Sequence, residues 1–239
     1  MATSADAVEA AIASKTRELL SEGAVLVDIS FRPGTEAGLD VEQRGAWALV
    51  VHTPPGAKVQ RGDALAAVDG EDVLLGSYEA MFARVLHAKT SQLPYTLTFR
   101  RAPVCRGWLR KKPRESGQKD GHHGLGGWRT RWFELGGGDL VYYDREGGAR
   151  KGAFGMEGCR VSIVGEELEL ACGAEQLVLA AAPDDLVQWA AWLRIAAAHA
   201  AGGDALLREV EGERLAAAAA RRRGSRRYSR ALQPGAVLA

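Results

Sequence analysis

The stretch GWRTRWFELGGGDLVYY, residues 127–143, constrains the chain most. Its polar and apolar residues alternate, three glycines interrupt them, and the alternation resumes, which predicts a strand, a tight turn and a second strand. Successive side chains of a strand point to opposite faces. Arg129 and Arg131 therefore share a face with Phe133 and Leu135. Two arrangements accommodate cations beside core residues. Either the strand is slipped or solvated at that end, or the arginines stand at the open mouth of a barrel and hold an anion.

The rest of the chain reads as two strand-rich blocks, so the expected fold class is mostly β with helices, in two modules. Residues 4–21 predict a helix with a weak apolar stripe of Val8, Ile12 and Leu19, giving an N-terminal unit at 1–22. The first block spans 23–101. It places Val25, Val27, Ile29 and Phe31 on one strand face, then two short strands around LDVEQRG and AWALVVH, then the strand ALAAV. Helical spacing follows at 77–89 (Tyr78, Met81, Phe82, Val85), and YTLTFRR alternates again. The second block spans 105–201 and ends in a long helix over PDDLVQWAAWLRIAAAHA. Pro183 stands at its start with Asp184 and Asp185 in the first turn, as helix N-termini prefer, and Gly202-Gly203 stops it. Residues 204–239 read as an Ala/Arg-rich helix and a basic disordered tail.

Formal net charge is +1, but it is unevenly spread. Residues 100–131 carry ten Lys/Arg against Glu115 and Asp120, and residues 221–230 carry six Arg and no acid. Local charge of this kind governs partners more than the total does. Three widely spaced cysteines (Cys105, Cys159, Cys172) argue against a disulfide framework and for a reducing compartment. The first fifteen residues lack the apolar run of a secretory signal. No apolar stretch is long enough to span a bilayer, so membrane contact would be peripheral.

The first block resembles a PDZ domain over about 80 residues. AGLDV sits where that family has its carboxylate-binding loop, and PPGAKVQRGDALAAVDGEDV matches its Gly-Asp, strand, Asp-Gly stretch. Asp40 and Val41 stand where the family has Gly and Phe. The resemblance implies capture of a protein C-terminal peptide by strand addition. Gly38, Leu39, Asp40 and Val41 would take the carboxylate, and Tyr78, Phe82 and Val85 would line the groove. Tyr78 stands where the family's Ser/Thr-selective members have His.

The second block resembles a pleckstrin homology (PH) domain, a seven-stranded barrel capped by a C-terminal helix. The features are Gly107-Trp108-Leu109 in the first strand, Arg131-Trp132-Phe133-x-Leu135 in the second, Tyr142-Tyr143 in the third and Trp189 in the last helix. Alternation sets Lys111 with Leu109, and Tyr143 with Val141. With the apolar members inside a small barrel, Lys111, Arg129, Arg131 and Tyr143 are expected at one mouth, with the loop 113–127 overhanging it and Lys151 reaching in. Clustered cations need a counterion, and the forked donors of Arg and the point charge of Lys suit phosphate. Phosphoinositide-binding PH domains carry the same Lys, basic-x-Arg, Tyr and later basic residue, so the resemblance implies a phosphoinositide headgroup held by Lys111, Arg129, Arg131, Tyr143 and Lys151.

The functional expectation is a non-enzymatic signalling adaptor, cytoplasmic and peripherally associated with the plasma membrane or endomembranes. It would join a membrane phosphoinositide to a protein C-terminus; the alternative is a protein–protein scaffold with no specific lipid. Ser225 and Ser229, each preceded by arginines, resemble kinase sites where phosphate would cancel attraction to an anionic surface. Arg61-Gly62-Asp63 reads as a turn before a strand. His122, His123 and Cys105 lack metal-site spacing, and no cofactor, metal or specific nucleic acid is expected. The oligomeric state is not encoded in these patterns.

Overall fold

The computed structural model describes residues 4–35, 38–113, 127–203, 205 and 207–213. It is mostly β with helices, in two sheets. Helix α1 spans Ser4–Ser21. The first module contains β1 (Leu26–Phe31), β2 (Asp40–Arg44), β3 (Trp47–His52), β4 (Ala64–Val68), β5 (Glu71–Asp72), α2 (Tyr78–Thr90) and β6 (Tyr95–Arg100). Its sheet runs β1-β6-β4-β3-β2, with β5 on β4, and β2 is an edge strand. Ser77 caps α2 by accepting from the Ala80 N–H at 3.2 Å.

The second module contains β7 (Cys105–Lys111), β8 (Arg129–Gly136), β9 (Asp139–Tyr143), β10 (Arg150–Gly155), β11 (Arg160–Val164), β12 (Glu167–Cys172), β13 (Glu175–Ala180) and α3 (Pro183–Ala200). Its seven strands run β10-β9-β8-β7-β13-β12-β11. The β8–β9 connection is a two-residue turn at Gly137 and Gly138, with φ of 60° and 84°. That left-handed pair is what a tight hairpin turn demands and what glycine supplies.

The apolar runs WALVV and ALAAV are buried on both faces, and the two faces serve different cores. Ala48, Val50, Leu65 and Val68 join α2 in the first module's core. Trp47, Leu49, Ala64 and Ala66 belong to a core continuous with that of the second module. Residues 207–213 are helical, and Leu207 and Val210 are buried there, so this segment packs on the fold. Residues 214–239, with Ser225 and Ser229, lie outside the described residues. Helix α1 lies on α3 and β11, so the N-terminal helix completes the second module.

Polar contacts fasten the junction. Arg100 on β6 and Glu211, both nearly inaccessible, form an ion pair at 3.1 Å. The Arg100 guanidinium lies over the Trp47 ring, 5.8 Å from its centroid. The Trp47 indole N–H donates to the Leu74 carbonyl at 3.1 Å. His199, from the last turn of α3, bonds through Nε2 to the Gly62 carbonyl at 2.8 Å. Gly202 turns the chain at φ +85° with its Cα so near the Arg44 carbonyl that a Cβ would collide with it.

The cysteines correct an expectation. Cys159 and Cys172 form a disulfide. Arg160 pairs with Ala171, so the next facing position brings Cys159 opposite Cys172, with Cα atoms 4.3 Å apart. That separation is normal for directly opposed residues of an antiparallel pair. Wide spacing along the chain had argued against a bond, and the hairpin removes that separation. Among the described residues no helix is long and apolar enough to cross a membrane.

Candidate functional site

The strand registers place three cations on the inner face at one end of the second barrel. Lys111 faces Arg129 directly, and Leu109 faces Arg131. Leu109, Phe133 and Leu135 on the same faces are essentially inaccessible. Lys111, Arg129 and Arg131 therefore continue the core face into solvent at the ends of β7 and β8. Arg129 is exposed, and Lys111 and Arg131 are half-buried. The Arg131 guanidinium donates to the Thr130 carbonyl at 3.1 Å, and Lys111 Nζ donates to the Lys112 carbonyl at 3.1 Å.

The tyrosine expected at this mouth is the wrong one of the pair. Phe133 faces Tyr142, whereas Tyr143 faces Trp132. The two-residue turn pairs Gly136 with Asp139, which sets Leu140 and Tyr142 inward and Tyr143 outward. Tyr142 stacks on Phe133 with ring centroids 5.4 Å apart and on Phe154 at 6.4 Å. Lys111 Nζ lies 5.5 Å from the Tyr142 centroid, so the ring forms a floor beneath the ammonium. Gly152 makes room for it, since a Cβ there would lie 2.6 Å from the Tyr142 ring.

Lys151 sits in a bulge between Arg150 and Gly152. Its Nζ is 3.8 Å from Asp144 Oδ2. Asp144 follows Tyr143 and, by alternation, returns to the Tyr142 side, so the mouth contains an acid that the sequence reading did not place there. Most of the loop at 113–127 lies outside the described residues, as do His122 and His123. The mouth is thus lysine and arginine on β7 and β8, an aromatic floor from β9, and a Lys–Asp pair at the rim. It suits a multiply charged anion such as a phosphate group.

The charge of residues 100–131 is not one surface. Arg100 is buried at the junction. Arg101 donates to the Lys58 carbonyl at 2.8 Å and stands 3.6 Å from Asp63. Arg110 and Lys112 alternate to the side of β7 opposite Lys111.

In the first module a groove of about 200 Å³ lies between β2 and α2. Leu39, Val41, Tyr78, Phe82 and Val85 all line it. Val41 and Phe82 are exposed, and Tyr78 stacks on Phe82 at 6.3 Å. Gly38 precedes the strand at φ +61°, and Asp40 is exposed at its first position, with a register shift between Asp40 and Val41. Leu86, 52% exposed one turn beyond Phe82, extends the apolar wall. The i, i+4 spacing of Phe82 and Leu86 carries that signal in the sequence.

Arg61-Gly62-Asp63 is a turn before β4. Asp63 is inaccessible and accepts from the backbone N–H of Gln60 at 2.8 Å and of Ala102 at 3.0 Å. Burial raises its pKa above the ordinary carboxylate range, opposed by those two bonds and by Arg101. Burial also pushes the Cys105 thiol up to about 11, the reverse of what a nucleophile or metal ligand needs. Among the described residues no group of His, Cys, Asp and Glu is placed to hold a metal ion.

Comparison with known proteins bears on the second module. Residues 103–185 match the family model described as "PH domain". A search of curated proteins returned no match. Among solved structures, the chain is similar to the PH domain of human pleckstrin homology domain-containing protein family A member 5. Identity is 21%, with 43% of this chain and 80% of that chain covered and a TM-score of 0.32. The family match covers the seven-stranded sheet and the first residues of α3, so the second module is similar to PH domains over that stretch.

Proposed function

We propose that the protein is a non-enzymatic signalling adaptor whose PH-like module docks on membrane phosphoinositides and whose first module acts as a PDZ domain and captures a protein C-terminus. The observation that carries the lipid reading is the register that gathers Lys111, Arg129 and Arg131 on one inner face, with Lys111 against the Tyr142 ring. Phosphates of an inositol ring supply the negative charge that such a cluster attracts. The reading implies residence at the cytosolic surface of the plasma membrane or endomembranes.

The peptide reading is supported by the apolar groove beside an edge strand. Strand β2 has a partner on one side only, and Tyr78, Phe82 and Val85 face it across the groove. An extended peptide ending in a free carboxylate would add to β2 by main-chain bonds and place alternate side chains in the groove. Its carboxylate would lie at the backbone N–H groups around Leu39 to Val41.

Flotation of the full chain with vesicles with and without a polyphosphoinositide tests the first part. The Lys111→Ala/Arg131→Ala variant should lose headgroup-selective binding while its unfolding transition stays in place. Selectivity that survives in that variant removes the proposed pocket. The second reading, a protein scaffold without specific lipid, draws on Asp144, which engages Lys151 and sets a negative charge at the rim. Flotation that ignores the polyphosphoinositide would favour it.

A further inference from the structure

We propose that the outer face of β7, β8 and β9 is a second membrane-contacting surface, which inserts Trp108 into the interfacial region of an anionic bilayer without recognising a particular headgroup. It would act beside the PH mouth but does not rest on headgroup binding there.

Trp108 alone among the described tryptophans is exposed, at 50% of its surface. It faces Trp132 on β8, which in turn faces Tyr143 on β9. The two indoles meet edge to face, with centroids 5.4 Å apart. A row of three aromatics thus crosses three strands on the side opposite the mouth. It also accounts for Tyr143, which the mouth does not use.

Cations surround this row. Arg110 and Lys112 flank Trp128, their charged groups 5.3 and 5.8 Å from its ring centroid. Arg150 faces Tyr143, and Arg106 faces Glu134. The nearby carboxylates are Glu134, which accepts from the Trp132 indole N–H at 2.9 Å, and Glu167, which holds Lys112 at 3.2 Å. Among the described residues, four cations against these two carboxylates and Glu169, two strands from β7, leave the patch positive. Because side chains alternate, Arg110 and Lys112 project to the outer face while Lys111 between them projects to the mouth.

Amphipathic rings flanked by Lys and Arg are the composition of membrane-interface anchors. Indole stays at headgroup depth, where its N–H remains wet, and the basic groups meet anionic lipid. Phosphatidylserine vesicles supply that chemistry without a polyphosphoinositide.

The test measures binding of the full chain to phosphatidylcholine/phosphatidylserine vesicles, with tryptophan quenching by brominated acyl chains. Trp108→Ala should weaken binding roughly tenfold or more, from the half-exposed ring it removes. Arg110→Ala, at an exposed position that tests the patch without touching the core, should weaken it roughly fivefold. Brominated lipid should quench wild type more than Trp108→Ala. The Lys111→Ala/Arg131→Ala variant should retain this binding while losing any gain from added polyphosphoinositide, so mouth and face fail separately. Wild-type affinity in both outer-face variants, or quenching unchanged by Trp108→Ala, overturns the proposal. Either result would leave the aromatic row for a protein partner.

Discussion

His199 gives the junction a pH dependence whose size follows from its position. The ring is fully enclosed at the end of α3, edge-on to Trp47 at 5.3 Å, and bonds through Nε2 to the Gly62 carbonyl. Burial, then the neighbouring Arg100 guanidinium, push its pKa from 6.5 down to about 4, against the opposing pull of Gly62. Glu211, ion-paired to Arg100, is a further charged group at this junction, with the Arg61–Asp139 and Arg44–Glu157 pairs and Asp63 beyond it. The folded pKa is depressed, so the unfolded chain takes up the proton first. Stability present above the ordinary value of 6.5 is therefore lost as pH falls, until the folded ring itself titrates near 4. The full loss is about 3 kcal/mol, and between about pH 7.5 and about pH 5 it is about 2 kcal/mol. His199→Gln keeps an amide N–H for Gly62 and does not titrate. Urea unfolding of both proteins across that range isolates the imidazole, because Glu9 and Asp63, which burial and hydrogen bonds also shift, are common to both. The wild-type free energy should fall relative to the variant by about 2 kcal/mol. Parallel curves would refute the enclosed, neutral imidazole.

Other perturbations probe the remaining joints. Glu211→Ala removes the buried carboxylate paired with the Arg100 guanidinium and should cost about 3–5 kcal/mol by denaturant unfolding, whereas trimming an exposed acid such as Glu157 should cost far less. Gly152→Ala drives a methyl into the Tyr142 ring and should cost about 1–3 kcal/mol; titration with a soluble inositol phosphate should also show weaker binding, because the floor under Lys111 moves. Cys159→Ser removes a bond spanning 13 residues of sequence and should lower stability by about 3 kcal/mol. The same loss should appear in wild type on adding a reductant and be absent in the variant.

The elements with strong local signals were legible in the sequence. The α1 pattern at 4–21 matches Ser4–Ser21, and Pro183, the paired aspartates and Gly202 bracket α3 as helix-end chemistry requires. The spacing at 77–89 gives α2 within one residue at each end. The mouth was legible on β7 and β8, where Leu109 and Phe133 fix which face is inner, and misread on β9. Two adjacent tyrosines are equivalent to a composition argument, and only register separates them. The signal was present: a two-residue glycine turn opposes Leu135 to Leu140 and hence Phe133 to Tyr142. A slip of one residue reverses every side chain of a strand. The disulfide and the junction were hidden for a related reason. Cys159 and Cys172, or Arg100 and Glu211, meet only once the chain has folded back, and neither member of either pair stands in a local motif.

The junction also sets how the two proposed sites are disposed. Strand β8 begins at the mouth with Arg129 and ends at the Gly137–Gly138 turn, where Gly137 lies against Gly62 and Asp139 bonds Arg61 at 2.6 Å. At about 3.3 Å per residue its eight residues span about 23 Å, so the first module is fixed to the end of the barrel remote from the mouth. Arg44, at the end of β2, bonds Glu157 of the second module at 3.0 Å, whereas Asp40 begins that strand farther from the barrel. A peptide adding antiparallel to β2 would hold its carboxylate near Asp40 and run back towards Glu42, Arg44 and Glu157. Residues upstream of its terminus would then meet the seam between the modules. The buried ion pair, the His199 bond and the shared core oppose any hinge there, so a partner captured in the groove would be held at a set height above the lipid rather than on a flexible tether.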